Sequence, residues 1–280
     1  MHFQDRWKRI IDELSPDRVT SVDELTERLG VSPATIRRDL NELDGLGYLL
    51  RVRGGAMRAE SKAYKQASDE RRSEGLQGQP GFLDTVITHA ASKRAIARTA
   101  LEFLTPGLSM IIDGGTTTYT MASMMPNEPF HVLTTSIAIL QGLIARPKVK
   151  VTLPGGEFFR EQSIILNPYE DGILQHFTAA RMFIGCQAIT RNGLLQTDGL
   201  LVQSERRLME RANEIIVLAD SSKINASGSL AVCPLTKIDV LITDDGIAPD
   251  AVKWLSDAGI DVRIAERTAE DRNTPVPLPR

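Results

Sequence analysis

Cysteine is nearly absent from this chain of 280 residues: only Cys186 and Cys233 occur, far apart and each in apolar surroundings. That argues against a disulfide framework or a thiolate metal site, and two buried free thiols are expected. Neither sign of charge dominates, with 33 Lys and Arg against 36 Asp and Glu. No global basic field therefore announces a nucleic-acid partner. No apolar run approaches membrane-spanning length, and no basic segment followed by an apolar one opens the chain, so a cytoplasmic location is expected. Internal repeats and low-complexity tracts are also missing. What remains is an ordinary globular composition, 42% hydrophobic and 25% charged, at a length that suits two domains.

The most informative stretch is Ser21 to Met57. Ser21 and Glu24 have the S-x-x-E spacing of a capping box, and Val22, Leu25 and Leu29 follow on one helical face. Gly30 can end that helix in a left-handed conformation, and Ser32 and Pro33 can cap and begin a second. On the second helix Ile36, Leu40 and Leu43 must face a core. The opposite face then carries Ala34, Arg38 and Asn41, flanked by Thr35 and Arg37. Small residues let DNA come close, and arginines can fork onto a guanine edge or pair with phosphate. Leu49 to Val52 reads as a strand and Gly54–Gly55 as a hairpin turn, with Arg51, Arg53 and Arg58 at its tip. A basic wing beside a recognition helix makes residues 1–58 a winged helix-turn-helix, expected to bind double-stranded DNA through Ser32, Ala34, Thr35, Arg37, Arg38, Asn41, Arg51 and Arg53. Trp7, Ile10, Ile11 and Leu14 mark a first helix that closes the core beneath it.

Residues 59–81 are polar and end in Gly75, Gly78, Pro80 and Gly81, the composition of a linker. From residue 82 to 265, short apolar runs alternate with helical segments: Ser109–Asp113, His131–Thr134, Val149–Leu153, Arg181–Ile184, Ile215–Ala219, Val240–Thr243 and Val262–Ala265. Helices are expected at Ser136–Ala145, Ser204–Ala212 and Pro249–Ala258, and residues 266–280 form a tail. That alternation specifies an α/β domain with a mostly parallel sheet, whose ligands sit at the carboxyl ends of strands. There lies Asp113-Gly114-Gly115-Thr116-Thr117-Thr118, a strand-to-helix turn in which glycines and hydroxyls can surround an anion such as phosphate. Thr134-Thr135-Ser136, Gly155-Gly156-Glu157 with Arg160 and Ser163, Gln196-Thr197-Asp198 and Asp220-Ser221-Ser222-Lys223 end other strands. Lys223 suits a phosphate or carboxylate, and Asp113 and Asp198 suit sugar hydroxyls.

The stretch GVSPATIRRDLNELDGLGYLLRVRGGA resembles the N-terminal signature of the DeoR family of bacterial transcriptional regulators, and SKRAIA, IDGGTTT, LPGG, FIG and LADSSK are similar to its C-terminal sugar-sensing domain. The resemblance implies an α/β sensor similar in fold to ribose-5-phosphate isomerase, a homo-oligomer, no cofactor, and a sugar-derived effector, a phosphorylated sugar or a sugar acid. It also implies that the chain represses a carbohydrate-catabolic operon. Carried over, the phosphate loop is Gly114 to Thr118, with Asp113, Ser136, Gly155, Gly156 and Lys223 around it. The run GGEFFREQSIILNPYEDGILQHFTAARMFIG looks most like regulators of rhamnose and ascorbate catabolism. Two departures stand out: Thr135 replaces the asparagine of many members, and apolar Gly199 to Val202 replaces a frequent acidic run. A sugar-phosphate isomerase with a DNA-binding appendage is the alternative. Asp113, Glu157, Asp198 or Glu205 could serve as its base, but none stands in a catalytic motif, so no enzymatic activity is expected.

Overall fold

A computed structural model of the chain describes residues 3–15, 18–45, 49–52, 54–58, 85–86, 88–159, 163–167 and 172–273. The chain divides into two units, Met1–Asp84 and Thr85–Arg280. The expected linker, residues 59–81, lies outside the described residues.

In the first unit, α1 (Phe3–Glu13), α2 (Val22–Leu29) and α3 (Pro33–Gly45) enclose a small core. Each helps fill it from one face: Ile10 of α1 with Leu14 just beyond its end, then Val22, Leu25 and Leu29, then Ile36, Leu40 and Leu43. The capping box forms as its spacing requires. The Glu24 backbone N–H donates to Ser21 Oγ at 3.1 Å, and the Ser21 N–H donates to the Glu24 carboxylate at 2.9 Å. Gly30 ends α2 at φ 64°. Strands β1 (Thr20–Ser21), β2 (Leu49–Val52) and β3 (Gly55–Arg58) form a three-stranded antiparallel sheet in the order β1-β3-β2. A Cβ added at Gly55 would lie 2.2 Å from the Thr20 carbonyl oxygen, so the close approach of β1 requires glycine there.

In the second unit the described strands of the main sheet are β4 (Ser109–Ile112), β5 (His131–Leu133), β6 (Lys150–Thr152), β9 (Ala179–Ile184), β12 (Ala212–Leu218), β14 (Val240–Asp244) and β15 (Asp261–Ala265). All pair in parallel, in the order β15-β14-β12-β9-β4-β5-β6. The inner strands β4, β12 and β14 are apolar at their centres because both faces are covered. The helices are α4 (Ala90–Leu101), α5 (Thr116–Met124), α6 (Ile137–Leu143), α7 (Gly199–Met209), α8 (Pro249–Asp257) and α9 (Ala269–Asn273). From β4 the chain runs to β5 and β6 on one side, then returns to β9 and beyond on the other. The order reverses between β4 and β9, the position in such sheets where the loops leaving adjacent strands part and a ligand crevice is expected.

Two pieces were not expected. A hairpin of β7 (Glu157–Phe159) and β8 (Ile164–Leu166) follows β6, and β10 (Ala188–Thr190), β11 (Gly193–Gln196) and β13 (Leu230–Cys233) form a small antiparallel sheet. Gly199 to Val202 prove to be the first turn of α7, which ends at Met209 rather than running on to Ala212. Helix α9 lies within the segment read as a tail, where Arg98 of α4 pairs with buried Asp271 at 2.5 Å.

Candidate functional site

Two surfaces carry the chemistry, one in each unit. The first is α3. Ser32 caps it, its Oγ accepting from the Thr35 N–H at 3.2 Å and lying 2.9 Å from the Thr35 hydroxyl. With Ile36, Leu40 and Leu43 fully buried, the helix turns Ser32, Ala34, Arg37, Arg38 and Asn41 to the exterior, and Thr35 is half-buried. Asp39 faces inward. Its carboxylate accepts from Arg6 at 2.5 and 3.0 Å and from the Trp7 indole N–H at 2.9 Å. That clamp ties α1 to α3 and sets the pitch of the exposed face. In the wing the Arg51 N–H donates to Asp44 at 2.8 Å, joining β2 to the end of α3. Arg53 lies outside the described residues.

The second surface is the crevice. Asp113 ends β4, its N–H donating to the Phe183 carbonyl of β9 at 2.9 Å, so it stands at the reversal of strand order. Gly114 abuts Ser136, where a Cβ would be 3.5 Å from the serine Cβ. Ser136 in turn caps α6, accepting from the Ile139 N–H at 3.3 Å. Thr135 and Ser136 are buried, and β8 lies along them: Ile165 donates to the Thr135 carbonyl and Ile137 to that of Ser163. Of the three threonines, Thr118 is fully buried and donates to the Gly115 carbonyl at 2.9 Å, so its hydroxyl serves the helix start. Thr116, half-buried, and Thr117 remain beside the glycines. Gly155 and Gly156, both at positive φ, and Glu157 are exposed at the rim beyond β6. Arg160 lies outside the described residues.

Across the crevice, Asp198 caps α7, accepting from the Leu200 N–H at 2.8 Å. Lys223 sits on a 3-10 turn after β12, half-buried. Its charge acts on the thiol of Cys186, just past β9, and on Lys93 of α4. Lys93 is buried, donates to the carbonyls of Thr85 and Thr88, and is pushed down to about 8 by that burial. Asp113 and Asp198 act on Glu205 of α7, while Glu205, Asp220 and Lys223 act on the Cys186 thiol.

Sequence reasoning names Glu205 only as a nominal base and Gln196 only as part of a polar turn, and it singles out neither Lys93 nor Arg207. Glu205 is 1% exposed, and burial and the Asp113 charge both push its carboxyl well up. Gln196 Nε2 donates to its Oε1 at 2.5 Å. Arg207 lines a cleft with Thr135, Pro154, Leu166 and Leu200, which joins the strand ends to α7. The available signal was the SKRAIA motif for Lys93 and the spacing of Val202, Glu205 and Leu208 for the inner face of α7. Cys186 and Cys233 are both free. No helix among the described residues is long and apolar enough to cross a membrane.

The described geometry presents an arginine-bearing helix face in one unit and, in the other, polar strand ends beside a cleft lined by Thr135, Pro154, Leu166, Leu200 and Arg207. A family model described as the DeoR C terminal sensor domain matches residues 88–245, and a DeoR-like helix-turn-helix domain matches residues 6–62. The HTH-type transcriptional regulator UlaR of Shigella dysenteriae, of Salmonella arizonae and of Escherichia coli K12 is 29% identical over 259 residues, 92% of this chain and 97% of each relative. Solved structures overlap it only in part. Ribose 5-phosphate isomerase A from Methanocaldococcus jannaschii is 16% identical at a TM-score of 0.36, covering 47% of this chain and 53% of that one. The eIF2B beta chain of Chaetomium thermophilum is 16% identical at 0.39, covering 84% and 74%. The expected likeness to the isomerase is therefore partial.

Proposed function

The chain belongs to the DeoR family of transcriptional regulators, and from that premise we propose that it represses a carbohydrate-catabolic operon and leaves its operator when a phosphorylated sugar or sugar acid fills the crevice. The observation that carries the reading is the joining, in one chain, of an arginine-bearing helix face and a parallel sheet whose strand order reverses at Asp113. Ser32, Ala34, Thr35, Arg37, Arg38 and Asn41 meet the major groove, and Arg51 and Arg53 meet phosphates. In the crevice Gly114, Gly115, Thr116, Thr117 and Lys223 take the anionic end of the effector, and Asp113, Thr135, Ser136 and Asp198 its hydroxyls.

Control is a two-state linkage. The effector binds one arrangement of paired sensor domains better than the other and so changes the spacing of two DNA-binding units. Two-fold pairing places half-sites about 10 base pairs apart, or at a multiple of that. The chain's likeness to regulators of rhamnose and ascorbate catabolism points to intermediates of those pathways as first compounds to try. Operator-bound protein is titrated with phosphorylated sugars and sugar acids while fluorescence anisotropy of the DNA is followed. Release by one compound supports the reading, and operator affinity indifferent to every one of them contradicts it.

One observation favours a second reading. Burial raises the Asp113 carboxyl to about 7, a range suited to a general base, as an aldose–ketose isomerase requires. Interconversion of sugar phosphates by the pure protein, lost in Asp113→Ala, would make the chain an enzyme.

A further inference from the structure

Helix α7 buries one stripe, Val202, Glu205 and Leu208, and the middle position of that apolar stripe is an acid. Glu205 Oε1 accepts from Gln196, while Oε2 is buried with no hydrogen-bond partner among the described residues. A buried polar atom of this kind in a folded protein calls for a specific explanation. Its surroundings narrow the choice. Among the described residues, the charged groups acting on Glu205 are Asp113 at the end of β4 and Asp198 at the cap of α7, both acidic, and the neighbouring thiols are Cys186 and Cys233. Lys223 and Glu205 both act on the Cys186 thiol.

We propose that Glu205, oriented by Gln196, is a specificity-determining residue of the effector site, reading an uncharged hydroxyl of the effector through Oε2 as the neutral carboxylic acid. This inference rests on the proposed effector site and adds the chemical class of the end of the molecule remote from its phosphate. A neutral acid both donates and accepts, which matches an alcohol. Ionisation of Glu205 is opposed by burial first and by the neighbouring Asp113 second. Burial and the acids already present oppose a second anionic group at this end, so an alcohol is preferred there to a carboxylate. The crevice is thus polarised, taking an anion at Lys223 and an alcohol at Glu205.

The test uses a matched pair on the full-length protein, glucitol 6-phosphate and 6-phosphogluconate, which differ only in carrying an alcohol or a carboxylate opposite the phosphate. Calorimetric titration of each is run from about pH 6 to about pH 9. The alcohol is expected to bind about tenfold or more tighter than the acid, and its affinity to fall as pH rises and Glu205 ionises. Glu205→Gln, which keeps donor and acceptor but cannot ionise, is expected to retain the preference and flatten the pH profile, which a purely structural role would not do. Equal binding of the two, a preference for 6-phosphogluconate, or an unchanged pH profile in Glu205→Gln overturns the inference and leaves the effector site standing. Stronger binding of glucosamine 6-phosphate than of either probe means that ionised carboxylates read a cation, and also overturns it. If neither matched probe nor inorganic phosphate binds, the phosphorylated-effector reading fails and takes this inference with it.

Discussion

Replacing Asp39 by alanine removes the acceptor that Arg6 and Trp7 share in the first unit. The carboxylate is buried and the Arg6 side chain is 16% exposed, so the guanidinium has some access to water once its partner is gone. Breaking a buried ion pair by deleting one member costs about 3–5 kcal/mol, and partial exposure of Arg6 places this case at the low end, about 3 kcal/mol. A domain this small has a total stability near the bottom of the usual range of about 5–15 kcal/mol, so more than half of it is at stake. Asp39→Asn keeps an acceptor for the indole and is expected to cost about 1–2 kcal/mol. The chain has two tryptophans, Trp7 and Trp254. In a Trp254→Phe background Trp7 emission reports unfolding of the first unit alone. With a urea slope of about 1 kcal/mol per molar for so small a unit, the Asp39→Ala midpoint should fall by about 2–3 M. A fall of less than about 1 M, or an asparagine variant as damaged as the alanine one, would refute the clamp.

Gly55→Ala drives a Cβ into the Thr20 carbonyl and is expected to destabilise the wing and weaken DNA binding, read by urea melts and anisotropy; unchanged values in both would show that β1 yields freely. Glu205, raised to about 9 from an ordinary 4.5, holds its proton in the folded state and loses it in the unfolded one. Its stabilising contribution is therefore fully present below about 4.5 and is lost as pH rises toward about 9, on the order of 1 kcal/mol per pH unit. Thermal melts of the second unit should fall along that range and flatten in Glu205→Gln; a melting temperature that climbs with pH in the wild type contradicts the assignment. Lys223→Ala is expected to abolish the effector response with operator affinity intact, since Lys223 belongs to the proposed effector site in the second unit; a loss of DNA binding in that variant would make the lysine structural.

The first unit was legible in the sequence because each of its signals is local. A capping pair three residues apart, a glycine at a left-handed position and a stripe at helical spacing each name their own structure, and Ser21, Gly30 and Ile36 stand where those rules put them. The central strands were equally plain, since a strand covered on both faces is an unbroken apolar run. What escaped depends on partners distant in sequence. The β7–β8 and β10–β11–β13 strands are three or four residues long and show no alternation to read. The sequence places the start of α7 at Ser204 because Gly199 to Val202 resemble no helix start without the Asp198 cap. A helix starting there leaves out Val202, so only the Glu205–Leu208 half of its buried stripe is legible. Asp39 was hidden for a related reason. It lies three residues beyond Ile36 on the inner face, where only the presence of Arg6 and Trp7 on α1 makes an acid tolerable.

The central claim is that this chain finds particular DNA sequences through the exposed face of α3. Genomic fragments captured by the full-length protein, compared with those captured by Arg38→Ala, test it most directly. A few discrete fragments should be enriched, each carrying paired half-sites about one helical turn apart or a multiple of it, and their enrichment should vanish in the variant while weak, salt-sensitive binding to all DNA persists. Uniform capture of all fragments by the wild type, or the same fragments enriched in Arg38→Ala, would contradict it.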